Sequence, residues 1–249
     1  MKKITPIIAI LALSFSSISI SQTNNINIVN YKIVEMNGKS SQRFNSENLE
    51  FELLYDADKS LFQLVDKLDE KENIIDSKII KVIYGGHIKY YKDNLKQEKL
   101  MTVDDEGIIY NVVTDFNEYT WEIDPNETKE ISGFKCYKAT TRKERKHNGI
   151  IKETFQPFAW FTYEIPTSYG PVGLDGLPGL VLEGSFDGKK IFYATHTSKA
   201  NRDIQKPKTN KTVSFDAYSN KMYDQTDDRN KFQEENKQEI ERGKTQLKR

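Results

Sequence analysis

From residue 26 onward apolar and polar positions alternate along the chain, and a period of two predicts strands. Ile26 and Ile28, then Tyr31 and Ile33, bracket a first strand through Val34. Leu49, Phe51, Leu53 and Tyr55 alternate with Glu50, Glu52 and Leu54, the pattern of a half-buried strand. Asp56-Ala57-Asp58-Lys59 supplies turn residues and Ser60 to Val65 returns, so the two read as a hairpin. The rhythm continues through 79–84, 88–92, 98–104, 107–114 and 118–123, and Asp124-Pro125-Asn126 breaks it. Strands resume at 134–141, 160–165, 180–183 and 190–194, with 142–149 between the first two as a charged loop. With no helical period between strands, the fold class is all-β: an antiparallel, strongly curved sheet or half-barrel. Residues 220–249 differ. Half of them are charged, with both signs mixed at helical spacing, which suits a solvated helix or a frayed tail.

The amino terminus changes the picture of where the chain works. Met1-Lys2-Lys3 is a short basic start, Ile4 to Ile20 is apolar but relieved by Ser and Thr, and Ser19-Ile20-Ser21 offers small residues at both cleavage-reading positions. This is the pattern of a secretory signal peptide over 1–21, cleaved before Gln22, and it implies no stable membrane span after cleavage. No cysteine follows the apolar run to accept a lipid, so the expectation is an exported protein, periplasmic or extracellular, and not a lipoprotein. The remainder divides into one β domain over 22–219 and the tail over 220–249. The 37 basic and 37 acidic residues balance, and losing Lys2 and Lys3 makes the mature chain slightly acidic. Such a chain has no net positive field to draw nucleic acid. The single cysteine, Cys136, lies in a strand pattern and reads as a small buried hydrophobe.

Local motifs for chemistry are sparse. His87, His147 and His196 stand far apart with no second ligand at metal spacing, so neither a metal nor a cofactor is expected. Gly184-Ser185-Phe186-Asp187-Gly188 places its serine one position early for a nucleophile elbow, and a turn between strands explains it. Glu164, Asp175 and Glu183 could pair for acid–base work, the basis of a carboxylate-dependent hydrolase reading. The densest aromatic run is Phe155, Phe158, Trp160, Phe161, Tyr163 and Tyr169. Alternation puts Phe158, Trp160 and Thr162 on one face and Phe161 and Tyr163 on the other. Such a strand is either central in a core or lines a cavity, and Phe158, Trp160, Tyr163 and Glu164 are the ligand-binding candidates.

The aromatic run leads into Gly176-Leu177-Pro178-Gly179-Leu180-Val181, a special bend set among leucines. Together with Ile131 to Ala139 (containing Gly133 and Cys136), Ala159 to Pro166 (containing Trp160) and Gly170-Pro171, this segment resembles the GLPGLI family of exported Bacteroidota proteins. Val181 replaces the final isoleucine, and 147–158 is longer than the family's usual link into the tryptophan strand. The resemblance implies export and a β fold and brings no catalytic residues. The layout of a Gly-x-x-Cys strand, a charged loop and a tryptophan strand is also similar to periplasmic lipoprotein carriers. Pro166, Pro171 and Pro178 cannot donate ladder hydrogen bonds, so the bend is expected as loop across one mouth or edge of the sheet. The leading expectation is a non-enzymatic envelope protein holding an apolar or amphipathic ligand in a concave face. The alternatives are the hydrolase and a structural or partner-binding module of the envelope.

Overall fold

The computed structural model describes residues 25–36, 49–65, 82–105, 107–209 and 211–246. The expected export segment, 1–21, lies outside them, as do residues 79–81 of one expected strand. The protein is all-β, as the alternation predicts. The described residues form fourteen strands: β1 (Asn25–Glu35), β2 (Phe51–Tyr55), β3 (Lys59–Leu64), β4 (Ile88–Asp93), β5 (Glu98–Asp105), β6 (Ile108–Val113), β7 (Glu122–Ile131), β8 (Phe134–Thr140), β9 (Lys143–His147), β10 (Ile150–Phe155), β11 (Phe158–Thr162), β12 (Leu180–Ser185), β13 (Lys190–Asn201) and β14 (Thr212–Ser214). Twelve make one sheet in the order β14-β6-β5-β4-β3-β2-β1-β13-β12-β11-β8-β7, while β9 and β10 pair separately. Every pairing is antiparallel except β14 with β6. The sheet does not close; β14 and β7 are its edges.

Curvature follows from ring contacts. Phe62 on β3 and Phe192 on β13 stand three strand steps apart, about 14 Å along a flat sheet, yet their ring centroids are 5.6 Å apart. The face bearing them is therefore the inside of the curve. Val29, Tyr31, Phe51, Leu53, Tyr55, Phe62, Trp160, Leu182 and Phe192 form the core there. Their neighbours in sequence point outward. Ile26, Ile28, Leu54, Leu61, Tyr91 and Leu100 make a second cluster, sealed by Ile204 from the segment after β13. β2 is consequently buried on both faces, not half-buried, and Glu52 on it is held by Arg202 and Gln63.

Five sequence expectations need correction. Val82 and Ile83 are helical and Tyr84 lies in a turn, so none of the three is strand. Residues 114–121 are irregular, so the expected strand at 118–123 begins only at Glu122. Pro125 does not break the chain; it sits inside β7, an edge strand whose register shifts between Asp124 and Thr128, where a missing N–H costs nothing. The charged loop at 142–149 is β9 plus a turn. Asn148 and Gly149 both have positive φ, 49° and 79°, as the two central residues of a type I′ hairpin require. The carboxyl-terminal helix runs over Phe215–Gln246, five residues ahead of the expected boundary.

Candidate functional site

The inside of the curve is not filled evenly. Between β4 and β5 on one side and β13 on the other, the concave face holds a chamber of about 360 Å³, within the range of small-molecule sites. Its floor is Ile88 and Tyr90 from β4 with Met101 and Val103 from β5, alternate residues of two neighbouring strands. Phe192 and Tyr84 wall one side. Phe215, Tyr218 and Met222 roof it, one face of the first two turns of the carboxyl-terminal helix. The detached β9–β10 hairpin holds this helix in place. Ser219 Oγ donates to Lys146 O at 3.0 Å, Asn148 N–H to Asn220 Oδ1 at 2.9 Å, and Tyr223 Oη to Glu153 Oε2 at 2.6 Å. His147 Nε2 lies 2.8 Å from Asp224 Oδ1.

One end of the chamber is polar. Lys99 Nζ, almost wholly buried, meets Glu118 Oε2 at 2.8 Å, Asp175 Oδ2 at 3.1 Å and Gly173 O at 3.1 Å. Lys92 Nζ reaches the same Asp175 oxygen at 3.2 Å. Burial pulls the Lys92 ammonium below the ordinary lysine range, with Asp175 opposing the shift and Lys99 adding to it. Burial likewise pushes the Tyr90 and Tyr119 phenols well up, so both stay protonated and neutral at physiological pH.

The Gly/Pro bend is part of this architecture. The short 3-10 turn Pro171–Gly173 touches β3 and β4 on one side and β12 on the other, so the bend lies across the concavity and ties its two flanks. Val172, in the turn, has φ 47° and ψ 33°, a left-handed conformation uncommon for a β-branched residue, and it lines the chamber. Leu174, Leu177, Leu180 and Val181 are buried, and Trp121 Nε1 donates to Asp175 O at 2.7 Å. The bend thus packs into two clusters, Leu180 in the main core and Leu177 and Val181 against Ala139, Ala159 and Phe161, and Tyr31 Oη donates to Val181 O at 2.5 Å as its tie to β1. Cys136 is fully buried and its thiol is pushed up by burial to about 11, which makes it inert at neutral pH.

The ligand-binding candidates fall elsewhere. Phe158 and Trp160 pack into the main core, with Lys129 Nζ 4.4 Å from the Trp160 ring. Tyr163 is half exposed on the opposite side, edge-on to Phe161 and Tyr137. Glu164, exposed, accepts the Lys135 N–H at 3.1 Å. None of the four lines the chamber. The three carboxylates of the hydrolase reading have separate partners: Glu164 this N–H, Asp175 two buried lysines, Glu183 Lys129 at 2.7 Å. The chamber residues escaped sequence reasoning because they come from seven separate segments. Two signals were present: the unpartnered alternation Ile88/Tyr90 and Met101/Val103, and an Asn-Gly pair between two β-prone runs.

Comparisons with known proteins add little. One family, described as "Protein of unknown function (Porph_ging)", matches residues 141–183, from just before β9 to within β12. Comparison with curated proteins gave no match. Two solved structures of PNGF-II are similar to the chain, in the P21 form at 17% identity with a TM-score of 0.48 and in the C2 form at 16% with 0.47. Each match covers 79% of this chain and 32% of the other, so the chain spans about a third of PNGF-II. Similarity this slight carries no inference about fold or activity.

Proposed function

We propose that this is an exported envelope protein of the GLPGLI family that holds an apolar or amphipathic ligand inside its curved sheet and performs no chemistry on it. One observation supports the reading: the chamber between the β4–β5 floor and the helical roof, apolar and aromatic on most sides with a few placed polar groups at one end. Val172 stands at its wall in a costly backbone conformation, the kind of local strain that clusters at binding sites. The overlap of the matched segment 141–183 with the hairpin and the bend agrees with the family reading.

The test uses the uncharged fluorescent probe N-phenyl-1-naphthylamine. It is expected to brighten on mixing with the protein, and Met222→Trp, which fills the chamber from the roof, to abolish the effect while the melting curve is retained. Equal brightening with the variant would place the probe outside the chamber and sink the proposal. Native mass spectrometry of protein taken from its own envelope then shows the ligand it carries, and the mass of the chain shows whether it starts at Gln22.

A further inference from the structure

The chamber adjoins a second recess of about 450 Å³. Thr114, Glu118, Arg145, Phe186 and Phe215 line both, so the two spaces meet at these residues. The recess is more polar than the chamber: Asp115, Lys143, Glu144, Lys146 and Asp216 border it. An apolar space joined to a polar one fits a molecule with a tail and a head.

The charges at the junction decide which head. Glu118 is already balanced, by Lys99 at 2.8 Å and Lys143 at 3.6 Å. Arg145 is not saturated. Its guanidinium has five N–H donors; it lies over the Phe155 ring at 4.8 Å, donates to Glu153 Oε2 at 2.8 Å, a carboxylate that is itself about half exposed, and has the Tyr223 hydroxyl as a further partner, so more than half of its donors stay unused. The Arg145 charge is felt within the chamber, where it opposes the rise that burial imposes on the Tyr90 and Tyr218 phenols. Thr114 Oγ1 is buried with no hydrogen-bond partner among the described residues. A guanidinium with donors to spare, lining the same junction as an unpartnered hydroxyl, makes a receptor for an anion. The acids of the recess offer no comparable cation site: Glu144 is engaged by Arg142, while Asp115 and Asp216 are exposed to water.

Resting on the binding function proposed above, we infer that the ligand is a single-chain amphiphile with an anionic head. Its tail occupies the chamber and its head sits at the junction, on the Arg145 guanidinium and the Thr114 hydroxyl. The chamber sets the tail length at about a dozen carbons, if each takes roughly the 30 Å³ that a water molecule takes in the liquid.

The experiment is competition against N-phenyl-1-naphthylamine on the whole protein by dodecanoate, dodecanol and dodecyltrimethylammonium, which share a tail and differ in the head. Dodecanoate is expected to displace the probe at a concentration at least about ten-fold below that of dodecanol, the effect of one charge-assisted hydrogen bond. In Arg145→Gln the ratio falls to near one. Glu153→Gln, which releases the guanidinium from its one carboxylate, strengthens dodecanoate alone and tests the idea even if Arg145→Gln folds poorly. Equal potency of dodecanoate and dodecanol, an unchanged ratio in both variants, or tightest binding of the ammonium compound overturns the head-group inference and leaves the binding function standing. Failure of the probe to bind at all removes the function, and this inference with it.

Discussion

Gly179 marks the closest self-approach of the bend: a Cβ built there would lie 1.9 Å from the Thr162 carbonyl oxygen and 2.6 Å from its carbon. Both obstacles are backbone, so neither can swing aside, and overpacking of this kind costs about 3 kcal/mol. Gly179→Ala is therefore expected to lower the denaturant midpoint markedly, whereas Gly188→Ala, with open space around its Cβ position, costs only its turn strain of about 1 kcal/mol. Equal midpoints for the two variants would show that the bend yields, and that its glycines are not kept for packing. Val181 shows the complement. Where the family label has isoleucine, this chain has one methylene fewer at a fully buried site, and Val181 packs with Phe161 and Leu177 without an outlet to solvent. The residue scale thus explains why the signature was readable in sequence. Its members are constrained by contact with each other, and contact among near neighbours leaves a local pattern.

At the scale of elements, hairpins were legible wherever both strands and the turn lay in one stretch. β2–β3 follows from alternation on either side of Asp56 to Lys59, and the register pairs Leu53 with Phe62 as the pattern implies. β9–β10 was missed because β9, Lys143 to His147, has no apolar residue and Ile150 and Ile151 of β10 stand exposed; the pair rests on the helix and the rim, not in the core. The β4–β5 hairpin allows a prediction about pH. Burial pushes the Asp93 carboxyl up, but the Lys96 N–H at 3.0 Å, the Tyr91 hydroxyl at 3.2 Å and the Lys96 and Lys59 charges outweigh it, and its pKa lies below the ordinary 3.8. A group whose pKa is lowered by folding adds stability above its unfolded pKa and loses it as pH falls through the folded value. The stability gap between the protein and Asp93→Asn is expected to be constant from pH 7 to about 5 and to shrink below about 4. Urea titrations across that range check it; a gap that widens in acid would mean that Asp93 is held protonated.

For the whole molecule, the all-β class and the antiparallel pairing were legible because each strand declares itself over five or six residues. Which strand lies beside which was not, since β1 meets β13 across more than 150 residues and nothing local records it. The chamber was hidden for the same reason: it exists only after β4, β5, β13, the bend and the helix have met. The helix itself divides in two. Phe215, Tyr218 and Met222 cover Val103 and Val112 over its first turns, while residues 224–231 are all exposed. A chain ended after Thr226 is therefore expected to melt close to the full-length protein and to bind N-phenyl-1-naphthylamine as well. A chain ended after Ser214 loses the roof, uncovers Met101 and Val103, and should lose on the order of 5 kcal/mol, from about 2 kcal/mol for each apolar side chain returned to water. It should also release the probe. Should the shorter chain keep its stability and its probe, the concave sheet alone would be the container, and the roof would have no part in holding the ligand. The outcome expected here makes the first three turns of the helix a part of the site and leaves the charged remainder outside it.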